Sequence, residues 1–320
     1  MTLENLKFSF FFTLLLIGVL LQITKIVDFG INQSNYSHYY KVNQIANRQA
    51  QPNLAIFGSS VGEVSIDPAI LQDSTGLSCY NFSIDGTRFV QYNGLIELLC
   101  DYADSTRYVL MVETYFSLSK VNQIMAIDRY LNHMEKPEIF NSLHSIQPEL
   151  VNKIKYIPFY RFIVQTHPYY KSSALGWLNY FKRKKLDDPT LGYTPVHRTW
   201  EFDMDSINAK SEKITIVIDS TYSKQYYHTL QKITQSGKKA IIIIPPFFKE
   251  GMALFDGFSE LKTLLKSFEN DHVLFLDYST HELTLSKEYF YNNSHLNYKG
   301  SVEFSKQLAH DLQHIIHPEL

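Results

Sequence analysis

The sequence predicts an α/β fold in which helices cover both faces of a mostly parallel sheet. Short apolar runs alternate with longer amphipathic runs from residue 53 onward. The run 108–112 is almost wholly apolar, as expected for a parallel strand that is buried on both faces. Strands that alternate with helices in this way are typical of a doubly wound sheet.

The individual elements follow from local signals. Pro245-Pro246 ends the strongest apolar run, and Asp67-Pro68 starts a short helix because Asp caps and Pro fits a first turn. The predicted strands are 54–57, 79–83, 108–112, 239–244 and 273–277, with a weaker one at 214–218. The longer predicted helices are 87–102, 221–236, 257–268 and 301–316.

Composition limits the class of protein. A chain of 320 residues with 45% hydrophobic residues can form one large domain or two modest ones. The formal net charge of -2 argues against nucleic acid as a partner. One interpretation of the 22 Tyr and 22 Phe is that they fill a core or lie on the surface. The alternative is that some of them line a groove for a sugar polymer.

The N-terminal segment predicts a membrane anchor. Phe8 to Ile23 is almost wholly apolar and, extended to Val27, reaches the ~20 residues that cross a bilayer. No small-residue cleavage site follows, which favours an uncleaved anchor over a signal peptide. A buried core helix is the alternative, but the run lacks a polar face. We therefore divide the chain into an anchor (1–27), a polar stalk (28–52) and an α/β domain (53–320).

Residues 115–210 interrupt the α/β alternation. The segment is rich in aromatic residues and proline, and we interpret it as a mainly helical insertion or lid. It contains the basic run Lys182-Arg183-Lys184-Lys185. Such a run is usually solvated, and the alternative is a place beside anionic headgroups or an anionic polymer.

The chain has two cysteines, which excludes a disulfide scaffold or a zinc ribbon. Cys79 begins a predicted strand and Cys100 ends the following helix, so both fall at one end of a βαβ unit. A disulfide suited to an oxidising compartment and two buried thiols are both compatible with this placement.

Two motifs place a serine and a histidine at the same edge of the sheet. Gly58-Ser59-Ser60 follows the first strand, and His295 lies on a polar loop before the last helix. Ligands bind at the carboxyl ends of parallel strands, so the two residues can meet there. A serine hydroxyl becomes a nucleophile when a base takes its proton. The other histidines have no metal-like spacing, and we expect neither a metal nor a cofactor.

These motifs resemble those of the SGNH hydrolases, the GDSL-like esterase superfamily. Within it, the chain is similar to a membrane-anchored bacterial branch that includes DltD and the alginate O-acetylation proteins. The resemblance covers roughly residues 53–114 and 213–316 and implies a flavodoxin-like sheet. It implies that Ser60 is the nucleophile, that His295 in the Asp-x-x-His-Leu-Asn block is the general base, and that Gly86 donates to the oxyanion.

The chain departs from the family pattern at three places. Asn292 stands where the family has its triad Asp, and its amide oxygen can still orient the imidazole. Ser59 is the neighbouring alternative to Ser60, and it is better placed at the family's block-one Asp, pointing into the turn. Glu113-Thr114 follows the third strand where the family has an Asn, which leaves Thr114 as a candidate oxyanion donor. Asp277, at the end of the last strand, is a possible replacement acid.

The resemblance implies a single-pass membrane protein whose C-terminal domain is extracytoplasmic. Its function would be that of a serine esterase or O-acyltransferase acting on ester-linked acyl groups of an envelope glycan or polymer. The alternative is a catalytically weak accessory protein that binds a polymer or a membrane-bound O-acyltransferase. In a third interpretation the Ser–His pair is incidental.

Overall fold

A mostly parallel sheet forms the centre of the molecule. The computed structural model describes residues 3–157, 159–201 and 204–316. Within them, five strands form the main sheet in the order β2-β1-β3-β5-β7, all parallel, and β4 pairs with β6 in a small separate sheet. Without the small strands this is the doubly wound order 2-1-3-4-5. The strands are β1 (Leu54–Gly58), β2 (Cys79–Asn81), β3 (Tyr108–Val112), β4 (Ile214–Thr215), β5 (Lys239–Ile244), β6 (Phe255–Asp256) and β7 (Val273–Asp277).

Helices connect the strands and form the insertion. The first group is α1 (Leu3–Asn32), α2 (Ser37–Ala46), α3 (Ser60–Ser65), α4 (Pro68–Thr75) and α5 (Phe89–Cys100). The insertion contains α6 (Pro137–His144), α7 (Pro148–Tyr156), α8 (Arg161–Val164), α9 (His167–Phe181) and α10 (Met204–Lys210). The last group is α11 (Ser220–Gln235), α12 (Lys249–Met252), α13 (Phe258–Lys266) and α14 (Tyr298–Ile316).

The side-chain alternation of the strands divides the core into two layers. Ala55 and Phe57 of β1 face a layer that contains α5 and α11, whereas Leu54 and Ile56 face α4 and α14. Both faces of the sheet are therefore covered, which confirms the predicted α/β class and explains the continuous apolar strands. The predicted strand 214–218 is only the short β4, and it lies outside the main sheet.

Helix α1 is long and apolar enough to cross a membrane. It runs without a break from Leu3 to Asn32, past the predicted end at residue 27. Its most apolar 18-residue stretch has a mean hydropathy of 2.2, and none of that stretch is buried in the protein. By length and composition alone, a signal sequence would pass the same criteria.

The segment 28–52 is packed against the domain, which corrects the predicted stalk. Helix α2 lies within it, and Val42, Ile45 and Ala46 of that helix join the core. The side chain of Asn43 donates a hydrogen bond to the carbonyl oxygen of Ile31, which ties α2 to the end of α1. The chain thus enters the domain directly from α1.

The insertion is joined to the α/β domain by close helix packing. Gly94 of α5 lies against α6, and a Cβ atom at this position would meet the carbonyl oxygen of Glu138 at 2.3 Å. Ser142 of α6 donates to the carbonyl oxygen of Val90 at 2.7 Å. The helices α6 to α10 alternate with loops over the described residues of 115–210.

The two cysteines are free and buried. Cys79 packs in the layer of α4 and α14, whereas Cys100 packs in the layer of α5 and α11. The sheet separates them. The sequence left a disulfide and two buried thiols open, and the structure shows two buried thiols.

Candidate active site

A strand–turn–helix unit presents Ser60. Strand β1 ends at Gly58, Ser59 has an extended backbone, and Ser60 is the first residue of α3. Glycine allows the turn to pack tightly, because a Cβ on Gly62 would lie 2.6 Å from the Ser83 hydroxyl oxygen. Ser60 is half-buried, whereas the Ser59 side chain is buried, so Ser60 is the serine that the turn presents.

The structure brings His295 and Asn292 to Ser60. Nε2 of His295 lies 2.8 Å from Oγ of Ser60, and Nδ1 lies 2.9 Å from Oδ1 of Asn292. Oδ1 also accepts the backbone N–H groups of Ser294 (3.1 Å) and His295 (3.0 Å). Since this oxygen accepts only, we assign the ring proton to Nδ1, which leaves Nε2 free to accept the serine proton. The loop thus sets the histidine in the orientation of a general base.

The environment of His295 favours the neutral imidazole. Burial lowers the pKa of His295 to about 4, the nearby Asp85 carboxylate opposes this shift, and Arg198 adds to it. The ring also stacks on Tyr291 at 5.4 Å between centroids, and the Arg198 guanidinium lies 4.7 Å above that tyrosine ring. A neutral imidazole can act as a base over most of the pH range.

A cavity of about 410 Å³ opens beside Ser60. Gly86 borders it with a φ of 75°, a backbone conformation that favours glycine. The wall carries two cations, Arg88 and Lys120, which sequence reasoning did not single out. The lining residues are Ser59, Ser60, Gly86, Thr87, Arg88, Gln91, Phe116, Lys120, Val121, Asn122, Gln123 and Met125.

Two other candidate residues have partners of their own. The backbone N–H of Thr114 donates to the Ser117 hydroxyl at 2.8 Å, and the Thr114 hydroxyl is 3.3 Å from the same oxygen. Asp277 forms an ion pair with Lys262 at 3.1 Å. The structure thus brings Asn292, and not Asp277, to the imidazole, and it ties Thr114 into its own turn.

Glu113 is fully buried next to this turn. The hydroxyl of Tyr226 donates to its Oε1 at 3.0 Å, while its Oε2 has no hydrogen-bond partner among the described residues. Burial raises the pKa of Glu113 to about 7, against the lowering effect of hydrogen bonds from Ser117 and Tyr226. A carboxyl group in this state carries less than a full charge near neutral pH.

A buried ion pair beneath the site was missed at the level of sequence. Lys41 of α2 donates to Oε1 of Glu63 at 2.9 Å and to the carbonyl oxygen of Ser83 at 2.7 Å. Oε2 of Glu63 accepts the backbone N–H of Asp85 at 3.0 Å. Lys41 is 0% exposed and Glu63 is 2% exposed. The pair therefore joins the loop that leads into Gly86 to α3, the helix that begins at Ser60.

The ion pair of Lys41 with Glu63 was missed because residues 28–52 have a polar composition, which is typical of a stalk. A signal was nevertheless present, because Tyr39, Val42, Ile45 and Ala46 follow the spacing of one face of a helix. Within the described ranges, no group of three or more His, Cys, Asp and Glu side chains is arranged to hold a metal ion.

No family model and no curated protein matches this chain. Among solved structures, it is similar to one from Streptococcus pneumonia that carries the provisional description of a platelet activating factor. That likeness has 10% sequence identity and a TM-score of 0.36, over 93% of this chain and 99% of the other. At this TM-score the likeness supports no assignment of fold family or function.

Proposed function

We propose that this protein is a membrane-anchored, SGNH-like serine esterase or O-acyltransferase. The observation that carries the proposal is the Ser60–His295–Asn292 arrangement, with Ser60 Oγ 2.8 Å from Nε2 and Nδ1 2.9 Å from the Asn292 oxygen. The sheet order agrees with the flavodoxin-like fold that the resemblance implies. The cavity beside Ser60 offers room for a substrate.

In this mechanism Oγ of Ser60 attacks the carbonyl carbon of an ester while Nε2 of His295 takes the hydroxyl proton. The carbonyl oxygen gains negative charge, and backbone N–H groups near Ser60 and at Gly86 stabilise it. The C–O bond of the ester then breaks, and His295 gives its proton to the departing alcohol oxygen. Water, or a hydroxyl of an acceptor sugar, attacks the acyl-enzyme and releases Ser60 by the same proton path in reverse.

The substrate class follows from the resemblance and the anchor. We infer ester-linked acyl groups on a glycan or polymer of the cell envelope, with the catalytic domain on the extracytoplasmic side. An apolar α1 that stays attached would keep the site near the membrane. No cofactor is needed for this chemistry.

A fluorophosphonate probe tests the proposal on the full chain in detergent. We expect one covalent adduct, mapped by mass spectrometry to Ser60, that is lost in Ser60→Ala and strongly slowed in His295→Ala. Ser59→Ala is the matched control and should still be labelled. A well-folded protein that is not labelled, or that is labelled at Ser59, would contradict the proposal.

A second candidate function is an accessory protein that binds a polymer or a membrane-bound O-acyltransferase. Two observations favour it: an amide in place of the triad carboxylate, and a Thr114 whose backbone N–H donates to Ser117 and whose hydroxyl also contacts that residue. It predicts that co-purification with a membrane partner survives Ser60→Ala. The probe experiment separates the two candidates, because an accessory protein needs no reactive serine.

A further inference from the structure

We propose that the insertion docks on the membrane surface beside α1, with anionic lipid headgroups as its partner. The docking face comprises Tyr156, Ile157, Ile163, Leu175, Leu178 and Phe181, flanked by the basic run 182–185. This inference rests on one part of the proposed function, namely that α1 spans the membrane. It is independent of whether Ser60 is a nucleophile.

Helix α9 is fixed to the C-terminal part of α1. The indole N–H of Trp177 donates to the carbonyl oxygen of Ile26, and the Ser173 hydroxyl donates to that of Val27, both at 2.9 Å. A Cβ on Gly176 would lie 1.8 Å from the carbonyl oxygen of Gly30. Only glycine permits this approach, so the two helices pack as one unit. The position of α9 relative to the bilayer is therefore set by α1.

A polar cluster marks the level at which α1 leaves the apolar layer. Asp28 is the first carboxylate after the apolar run, and Arg161 contacts its two oxygens at 2.5 and 3.0 Å. The hydroxyl of Tyr169 donates to the same carboxylate at 3.1 Å. On the side of the apolar run, Ile157 and Phe159 share a cavity with Leu21 and Thr24 of α1. The insertion thus reaches the part of α1 that we place in the bilayer.

The exposed side chains of this region are apolar. Ile163 is 74% exposed and Phe181 is 71% exposed. Leu175, Leu178 and Phe181 are spaced three residues apart, which places them on one side of α9. Single exposed apolar residues are common, but several large ones in the segment that packs on an anchor helix indicate an interaction surface. Trp177 and Tyr180, which accompany them, are residue types that are enriched at the bilayer interface.

The basic run identifies the lipid class. Lys182, Arg183, Lys184 and Lys185 directly follow α9 and are all exposed. Anionic headgroups attract such a cluster within about one Debye length, roughly 10 Å, of the surface. Apolar side chains that enter the headgroup region and adjacent cations that bind its phosphates are the combination found in interfacial helices. The domain would then be held at one height and one tilt, because α1 and α9 move together.

Depth-dependent quenching in lipid nanodiscs tests this inference with the full chain. A single labelling site is introduced as Leu178→Cys and carries an environment-sensitive fluorophore, since native Cys79 and Cys100 are buried. Lys306→Cys on α14, which covers the other face of the sheet, is the matched control. Discs contain brominated lipid with phosphatidylcholine alone or with added phosphatidylglycerol.

We expect quenching at residue 178 that exceeds that at residue 306 by about twofold or more in anionic discs. Replacing all four residues 182–185 with Gln should reduce the difference to its value in phosphatidylcholine. Equal quenching at 178 and 306 in discs that retain the protein would overturn the docking proposal. Protection of the docking face that occurs only when another membrane protein is present would also overturn it. A chain that does not remain with the discs would instead refute anchoring by α1, and docking with it.

Discussion

Oδ1 of Asn292 lies 2.9 Å from Nδ1 of His295, where it accepts a hydrogen bond from the ring N–H without offering a negative charge. The amide can therefore hold the orientation of the imidazole as a triad acid does, but it cannot stabilise the positive charge of an imidazolium. Asp85 supplies the nearest opposing effect on the pKa of His295, but burial dominates. Burial therefore sets the low pKa of His295, and the neutral amide of Asn292 adds no charge that would raise it.

The acid limb of the activity should lie unusually low. His295 must be neutral to accept the Ser60 proton, so activity is present above its folded-state pKa and is lost as the pH falls through about 4. We expect the rate of fluorophosphonate labelling to be flat from pH 5 to 8 and to fall by half near pH 4, as roughly expected for one titrating base. Circular dichroism at each pH is the control for acid unfolding. A midpoint at 6.5, the ordinary value, would contradict the prediction.

Asn292→Asp should raise the rate of fluorophosphonate labelling and also the pH at which this rate falls by half. The substituted carboxylate keeps an oxygen for the backbone N–H groups of Ser294 and His295 and adds a charge that stabilises the imidazolium. Loss of the carboxylate from a Ser-His-Asp triad costs about 10⁴ in rate, so the gain has that upper bound and we expect at least about tenfold. Asn292→Ala, which removes the orienting oxygen, should slow labelling. An Asp variant no faster than the native protein would show that the charge is not what limits this site.

Lys41→Met should destabilise the protein and impair the site together. Removing one partner of a buried ion pair typically costs about 3–5 kcal/mol in the free energy of unfolding. Glu63 keeps the His38 ring at 3.1 Å from its Oε1, so we expect a loss of stability up to that size. Denaturant unfolding measures that cost, and the labelling rate of Ser60 reports the loosened loop at Asp85-Gly86.

The surface pair of Lys306 and Glu303 provides a control for Lys41→Met. It lies on exposed side chains at 2.9 Å, so Lys306→Met should change stability far less than Lys41→Met and leave labelling unchanged. Similar losses for the two variants would argue against a positioning role of the buried pair.

Glu113→Gln should stabilise the protein at alkaline pH relative to acidic pH. The folded-state pKa of about 7 exceeds that of an unfolded Glu, so the unfolded chain releases its proton first as the pH rises. The contribution of Glu113 to the free energy of unfolding is therefore fully present below about pH 4. It declines as the pH rises to about 7, by up to about 3 kcal/mol. The amide side chain of the variant does not titrate, so the substitution removes this decline. The measurement is the free energy of unfolding of the native protein and of the variant, each at pH 4 and at pH 8. A difference between the two proteins that is the same at pH 4 and at pH 8 would contradict the prediction.

The Ser60–His295 pairing was predictable from sequence because each residue sits in a short local motif whose place on a parallel sheet follows from chain order. Strand β3 likewise has the predicted bounds, since its side chains are apolar on both faces. Helix α2 was not predicted, because its polar residues find their partners in segments far along the chain. Lys41 is an example, since its partner Glu63 lies in α3, beyond the first strand.

The sequence by itself determined the α/β class, the apolar N-terminal helix and the meeting of a serine with a histidine, because these depend on local periodicity and on the common edge of parallel strands. Tertiary structure decided which oxygen faces Nδ1 of His295, which face of the sheet holds each cysteine, and how α9 packs on α1. These outcomes depend on distances between residues that are remote in sequence. Burial and charge pairing are properties of the folded neighbourhood, and a side chain acquires them only when its distant partners are in place.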